Sequence, residues 1–148
     1  MNKMELKFSS TLDNESLARN AVITFISSLN PTLEEIGEIK TIVSEAVSNA
    51  IIHGYNFNDE KDIILRCEIE DYKITLTIID FGVGIKDLSV AKRPHYSSRP
   101  DLERAGMGLT IMETLSDEFD IRSVYGMGTK IIMCKEIYHD SVLQGEGI

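Results

Sequence analysis

The chain has no surplus of positive charge, little cysteine and no long apolar run. Of its 148 residues, 15 are Lys or Arg and 24 are Asp or Glu, giving a formal net charge of −9. A general nucleic-acid binder needs a basic face, so that class is disfavoured. The same deficit means that any phosphate ligand must be held by a local device against an unfavourable overall field. Only two cysteines occur, Cys67 and Cys134, neither in a CxxC pair and each in an apolar, strand-like stretch. They read as buried thiols of a reducing compartment. No stretch is long enough to span a membrane, and the opening "MNKMELKFSS" lacks the apolar core of a signal peptide. The expectation is a cytoplasmic protein. Internal repeats, linkers and low-complexity segments are also missing. The length favours one domain, residues 1–148, burying very roughly two-thirds of its unfolded surface.

Periodicity supplies the elements. "MELKFSS" places Met4, Leu6 and Phe8 on one side at period two, a strand. In "NESLARNAVITFISSL", Leu17, Ala18, Ala21, Val22, Phe25, Ile26 and Leu29 recur at helical spacing. A second helix is predicted in "NPTLEEIGEIKTIVSEAVSNAIIHGY", with Asn30 as N-cap, Pro31 in the first turn, and Gly54 as the stop. Leu33, Ile36, Ile39, Val43, Ala46, Val47 and Ala50 form its buried stripe. "DIILRCEIE" and "KITLTIID" read as a hairpin turning at Asp71 and Tyr72. Residues 86–105 are polar and hold two of the three prolines, which predicts a long functional loop. "LTIMETLSDE" suits a helix, "FDIRSV" and "TKIIMCKEI" a strand pair joined by "YGMG", and residues from about 137 to 148 a frayed tail. Strands paired in hairpins, with helices gathered on one face, give an α+β two-layer sandwich.

Two constellations carry chemistry. Glu45, Asn49 and His53 are spaced four apart on the second helix and share one face, with Thr41 and Ile52 close to the same stripe. Such spacing fits the solvated face of an amphipathic helix. It fits equally a carboxylate and an amide aimed into a site, the Glu able to accept a proton and the Asn oxygen suited to Mg²⁺. The second constellation is three Gly-x-Gly units: Gly82 and Gly84, Gly106 and Gly108, Gly126 and Gly128. The last also fits a plain hairpin turn. "GMGL" opens a helix, where backbone N–H groups can bind phosphate. The P-loop pattern is absent, the Rossmann GxGxxG fails at its third glycine, and the "DFG" at Asp80 has no HRD, VAIK or APE to make a eukaryotic protein kinase.

Together these motifs resemble the GHKL superfamily of ATP-binding domains: "EAVSNAIIHGY" its N box, "DFGVGI", "GMGL" and "GMGT" its three glycine boxes, in order over nearly the whole chain. "SEAVSNAIIHGYN", "LERAGMGLTIME" and the chain length are similar to the bacterial anti-sigma-factor serine kinases, nearer the sporulation sigma F branch than the general-stress sigma B branch. The histidine-kinase and gyrase branches fit poorly, since no dimerisation helix precedes the domain and no transducer domain follows it.

The resemblance implies a Bergerat-type sandwich with a mixed, mostly antiparallel sheet. It implies binding of ATP or ADP with Mg²⁺, and phosphorylation of a serine on an anti-anti-sigma protein. It further implies inhibition of an RNA polymerase sigma factor and a homodimer with the first strand and helix near the interface. Direct nucleic-acid or membrane binding is not implied. By position, Glu45 matches the general base and Asn49 the Mg²⁺ ligand. Asp80 matches the acceptor for the adenine amino group, with Gly82 and Gly84 letting the backbone approach the base. Gly106, Met107, Gly108 and Leu109 match the lid end around the phosphates, and Thr129 a residue near the adenine. Arg104 matches either a phosphate contact or a water-exposed lid arginine. His53 has no settled role. Arg19 is either a partner contact or an ordinary exposed helix arginine. A nucleotide-binding interaction module without kinase activity, and a stand-alone ATPase, are the other readings.

Overall fold

The computed structural model describes residues 1–87 and 108–137. Strand β1 (Asn2–Ser9) leads into helix α1 (Asp13–Ile26) and a 3-10 turn (Ser27–Leu29). Helix α2 (Leu33–Asn49) follows and ends in a single π turn (Ala50–Gly54). The hairpin β2 (Asp62–Glu70) and β3 (Lys73–Asp80) comes next. After residues 88–107, which lie outside the described part, helix α3 (Gly108–Leu115) precedes the pair β4 (Glu118–Val124) and β5 (Gly128–Glu136).

The five strands form one sheet in the order β1-β2-β3-β5-β4, and all four pairings are antiparallel. Alternation decides which side chains face the helices. Leu65, Cys67 and Ile69 of β2, Ile74, Leu76 and Ile78 of β3, and Ile131 and Met133 of β5 lie in register on that face. They pack against Ala18, Val22 and Ile26 of α1, Ile39, Ile42, Val43, Ala46 and Val47 of α2, and Met112 of α3 in one core. The α+β sandwich is therefore as the residues predict. Both cysteines are buried and free, and burial pushes the Cys67 thiol up to about 12. The β2–β3 hairpin turns at Asp71, whose φ of 55° is a left-handed conformation that Asp tolerates.

Local details differ from the pattern. Asn30 is not the N-cap of α2: it adopts φ 50° and closes the preceding 3-10 turn. Thr32 caps α2 instead, in a reciprocal box with Glu35 (Glu35 N–H to Thr32 Oγ1 3.1 Å, Thr32 N–H to Glu35 Oε1 2.8 Å). Pro31 therefore precedes the cap rather than occupying the first turn. Leu33 is 88% exposed and Leu17 51% exposed, so neither joins the core. Ile42 of α2 and Ile51 of the π turn, outside the predicted stripe, are buried instead of Leu33. Ile137, assigned to the tail, is buried, and its N–H donates to the Tyr72 carbonyl (2.8 Å). The rest of the tail, 138–148, lies outside the described residues.

Candidate nucleotide site at the end of the sheet

The site begins with Asp80, the last residue of β3. Its register places it between Ile63 of β2 and Thr129 of β5 on the helix-facing side. Only 4% of it is exposed. Burial raises its carboxyl from the ordinary 3.8 to about 6, against the opposing pull of backbone N–H groups from Gly82 and Thr129. The Gly82 N–H reaches Oδ1 at 2.9 Å. Among the described residues no cation pairs with it. A buried carboxylate without a cation is costly unless donors approach it. It is therefore suited to a neutral ligand that offers N–H groups, such as the amino group of a purine.

Three chain segments converge on this residue through contacts that admit no side chain. A Cβ on Gly54, at the end of the π turn, would stand 2.7 Å from Asp80 Oδ1. One on Gly82 would stand 2.0 Å from the Gly54 carbonyl oxygen. One on Gly128 would stand 2.2 Å from the Asp80 carbonyl oxygen, and its φ of 135° is itself a glycine conformation. The first glycine box thus meets the end of the N box, and the third meets the first, backbone against backbone. This packing by itself requires glycine at 54, 82 and 128. Hydrogen bonds lock the loop 81–85 in place. Val83 N–H donates to Gly54 O (2.9 Å), Gly126 N–H to Val83 O (2.5 Å), and Ile85 N–H to Ser123 Oγ (2.6 Å). Ser123 Oγ in turn lies 2.8 Å from the hydroxyl of the buried Thr129.

Gly82→Ala is expected to cost about 2 kcal/mol, because the added methyl meets backbone that cannot step aside. Gly37→Ala, in an open position on α2, is expected to stabilise by about 0.5–1 kcal/mol. Urea unfolding of the two variants checks the opposite signs.

Glu45 and Asn49 lie on α2, both half-buried, with Asn49 the last residue before the π turn. His53 is half-buried within that turn. A π turn of this kind often marks a functional site, because it re-aims the side chains that follow it. Gly108 and Leu109 open α3, with Gly108 buried and Leu109 packed against the core. Arg104, Gly106 and Met107 lie outside the described residues. Among the described residues no cluster of His, Cys, Asp and Glu could hold a metal ion.

Arg19 is neither a free surface arginine nor fully buried. It bonds Glu15 Oε1 (2.8 Å) and Ser44 Oγ (3.0 Å), while Ser48 Oγ donates to Glu15 Oε2 (2.9 Å). This network ties α1 to α2 one residue before Glu45 and one before Asn49. Periodicity could not show it, because its two halves are 25 and 33 residues apart in sequence. Sequence reasoning also missed Gly54 as a packing residue and Ser123 as a loop anchor. The "HGY" that ends the N box was the one available signal for the first.

Comparison with known proteins agrees with this geometry. Residues 8–135 match the model of the histidine kinase-like ATPase domain. The chain is 52% identical over 136 residues to the anti-sigma F factor of Clostridium novyi, covering 92% of this chain and 95% of that one. It is 48% identical over 136 residues to that of Clostridium perfringens, covering 92% and 97%. A solved structure of the RsbU and RsbW domains of a Mycobacterium tuberculosis protein shares the fold, with a TM-score of 0.65 at 18% identity, covering 93% of this chain and 32% of that one. By motif order, sheet topology and these matches, the chain belongs to the histidine kinase-like ATPase domain family and, within it, to the anti-sigma F factors.

Proposed function

We propose that this chain binds and inhibits an RNA polymerase sigma factor, and that it is also a serine kinase. As a kinase it would use ATP and Mg²⁺ to phosphorylate and inactivate its anti-anti-sigma antagonist. The observation that carries the nucleotide half is the buried Asp80 carboxylate, which accepts backbone N–H groups of Gly82 and Thr129 and stands where Gly54, Gly82 and Gly128 allow close packing. The partner half is supported by relatives at about half identity that are named anti-sigma F factors.

In this reading Asp80 accepts a hydrogen bond from the adenine amino group, and Thr129 stands directly across the sheet from it. Asn49 offers a side-chain oxygen to Mg²⁺, and Glu45, one helical turn earlier, takes the proton of the attacking serine hydroxyl. ATP bound with Mg²⁺ supplies the phosphoryl group and neutralises its charge. The N-terminal end of α3, with Arg104 and the Gly106–Gly108 unit before it, would wrap the phosphates. A homodimer and a cytoplasmic location belong to the same proposal. The outer edge of β1, unpaired among the described residues, and the exposed Leu17 of α1 offer surface for the dimer.

The test is incubation with labelled ATP, Mg²⁺ and the cognate anti-anti-sigma protein. Label is expected on a serine of that protein and not on water. Absence of transfer, with nucleotide still bound by calorimetry, would reduce the chain to an interaction module. Rapid hydrolysis without the protein substrate would instead make it a stand-alone ATPase. Capture of a sigma subunit from native cells, identified by mass spectrometry, tests the inhibitory half.

A further inference from the structure

Tyr55 directly follows Gly54 and takes part in none of the roles described above. It is buried, at 8% exposure. Its hydroxyl donates to the Asp62 carbonyl at the start of β2 (2.5 Å) and accepts the Phe81 N–H (2.7 Å). Phe81 is the residue after Asp80. One side chain therefore joins the end of the N box, the first residue of β2, and the first peptide of the glycine loop. The next contact along this seam is Val83 N–H to Gly54 O (2.9 Å), so the loop is fixed at both Phe81 and Val83 by adjacent residues of the 54–55 segment. From this geometry we infer that Tyr55 is a positioning residue for purine recognition. It holds the Asp80–Gly82 backbone so that the Asp80 carboxylate presents its acceptor at a fixed angle to the base.

The inference rests on the reading of Asp80 as the adenine acceptor. Its consequence is specific. Tyr55 acts at the base end of the nucleotide, whereas phosphoryl transfer occurs at the far end beside Glu45 and Asn49. Loss of the hydroxyl should weaken nucleotide binding and leave turnover at saturation alone. A residue that merely stabilises the fold would lower the melting temperature without changing the affinity of the folded fraction.

Tyr55→Phe removes only the hydroxyl. It leaves Phe81 N–H without its acceptor in a part-buried position. ADP titration without Mg²⁺ is expected to show Kd raised about tenfold, corresponding to the loss of one hydrogen bond's worth of positioning. The kcat for serine phosphorylation at saturating ATP should stay within about twofold of wild type. An ADP Kd equal to wild type, with Asp80→Asn still weakened, overturns the role of Tyr55 alone. An Asp80→Asn protein that binds ADP as tightly as wild type overturns the reading of the site, and this inference with it. A measurement on the unmutated protein guards against a variant that does not fold: amide exchange at Phe81 in the nucleotide-free state. Protection there is expected, since the bond to Tyr55 is made before any ligand arrives. Exchange at the unprotected rate would overturn the inference.

Discussion

Asp80→Asn is expected to weaken ATP and ADP binding about 100-fold, with or without Mg²⁺, while making the nucleotide-free fold more stable at neutral pH. The first effect follows from acceptor count. The carboxylate receives backbone N–H groups from Gly82 and Thr129 and retains lone pairs for a third donor. An asparagine has one oxygen to offer, so its NH₂ must face either a backbone N–H or the ligand's amino group. Losing a bond to a charged acceptor and replacing it with two opposed donors costs about 3 kcal/mol, hence the 100-fold. A Mg²⁺ ligand would behave otherwise, losing mainly the Mg²⁺-dependent part of binding.

The stability effect has the opposite sign. Burial raises the Asp80 pKa from 3.8 to about 6, so the folded state holds a proton that the unfolded chain has already released. Stability from this group is fully present below about pH 4 and is lost as pH rises through about 6. At neutral pH the loss is on the order of 3 kcal/mol. Asparagine carries no such penalty. The melting-temperature advantage of Asp80→Asn over wild type should therefore grow between pH 4 and pH 7 in nucleotide-free protein. Wild-type ADP affinity should fall below about pH 6, where the acceptor becomes protonated. A difference between the two proteins that stays flat across this range would contradict the burial argument.

Glu45→Ala carries the largest expected loss of activity. A positioned general base contributes about 10²–10⁴ in rate, so single-turnover phosphorylation of the anti-anti-sigma protein should fall about 10³-fold. ATP affinity should change less than about threefold, because Glu45 lies a full helical turn from Asn49 and, in the proposed role, meets the protein substrate rather than the nucleotide. Glu45→Gln should be as slow while keeping the shape of the side chain, which separates proton acceptance from packing. A transfer rate within tenfold of wild type in both variants would leave Glu45 on the solvated face of α2.

The roles of particular residues show how far sequence reaches. Period-two and period-3.6 patterns are local, so β1, α1, α2 and both hairpins were legible, as was the position of Asp80 at the end of an apolar run before two glycines. The order of the motifs along the chain carried the family. Local reading failed where two signals compete within a few residues. Asn30 and Thr32 are both good capping residues, and the choice fell to Thr32 because Glu35 stands three positions after it and closes the box. Leu33 is apolar at a helical position, yet it lies in the first turn, facing away from the core.

By itself the sequence determined the class of the protein and the order of its elements, and it named the side chains proposed to act on a nucleotide. Tertiary structure alone decided why the glycines are glycines. Gly54, Gly82 and Gly128 lie 28 to 74 residues apart in sequence, yet a methyl added to any of them would strike the Asp80 carboxyl, the Gly54 backbone or the Asp80–Phe81 backbone respectively. It also decided that Arg19 is tied to α2 and that the Tyr55 hydroxyl reaches Phe81. Such contacts depend on where the sheet register and helix packing bring distant backbone together. No window of neighbouring residues encodes that distance.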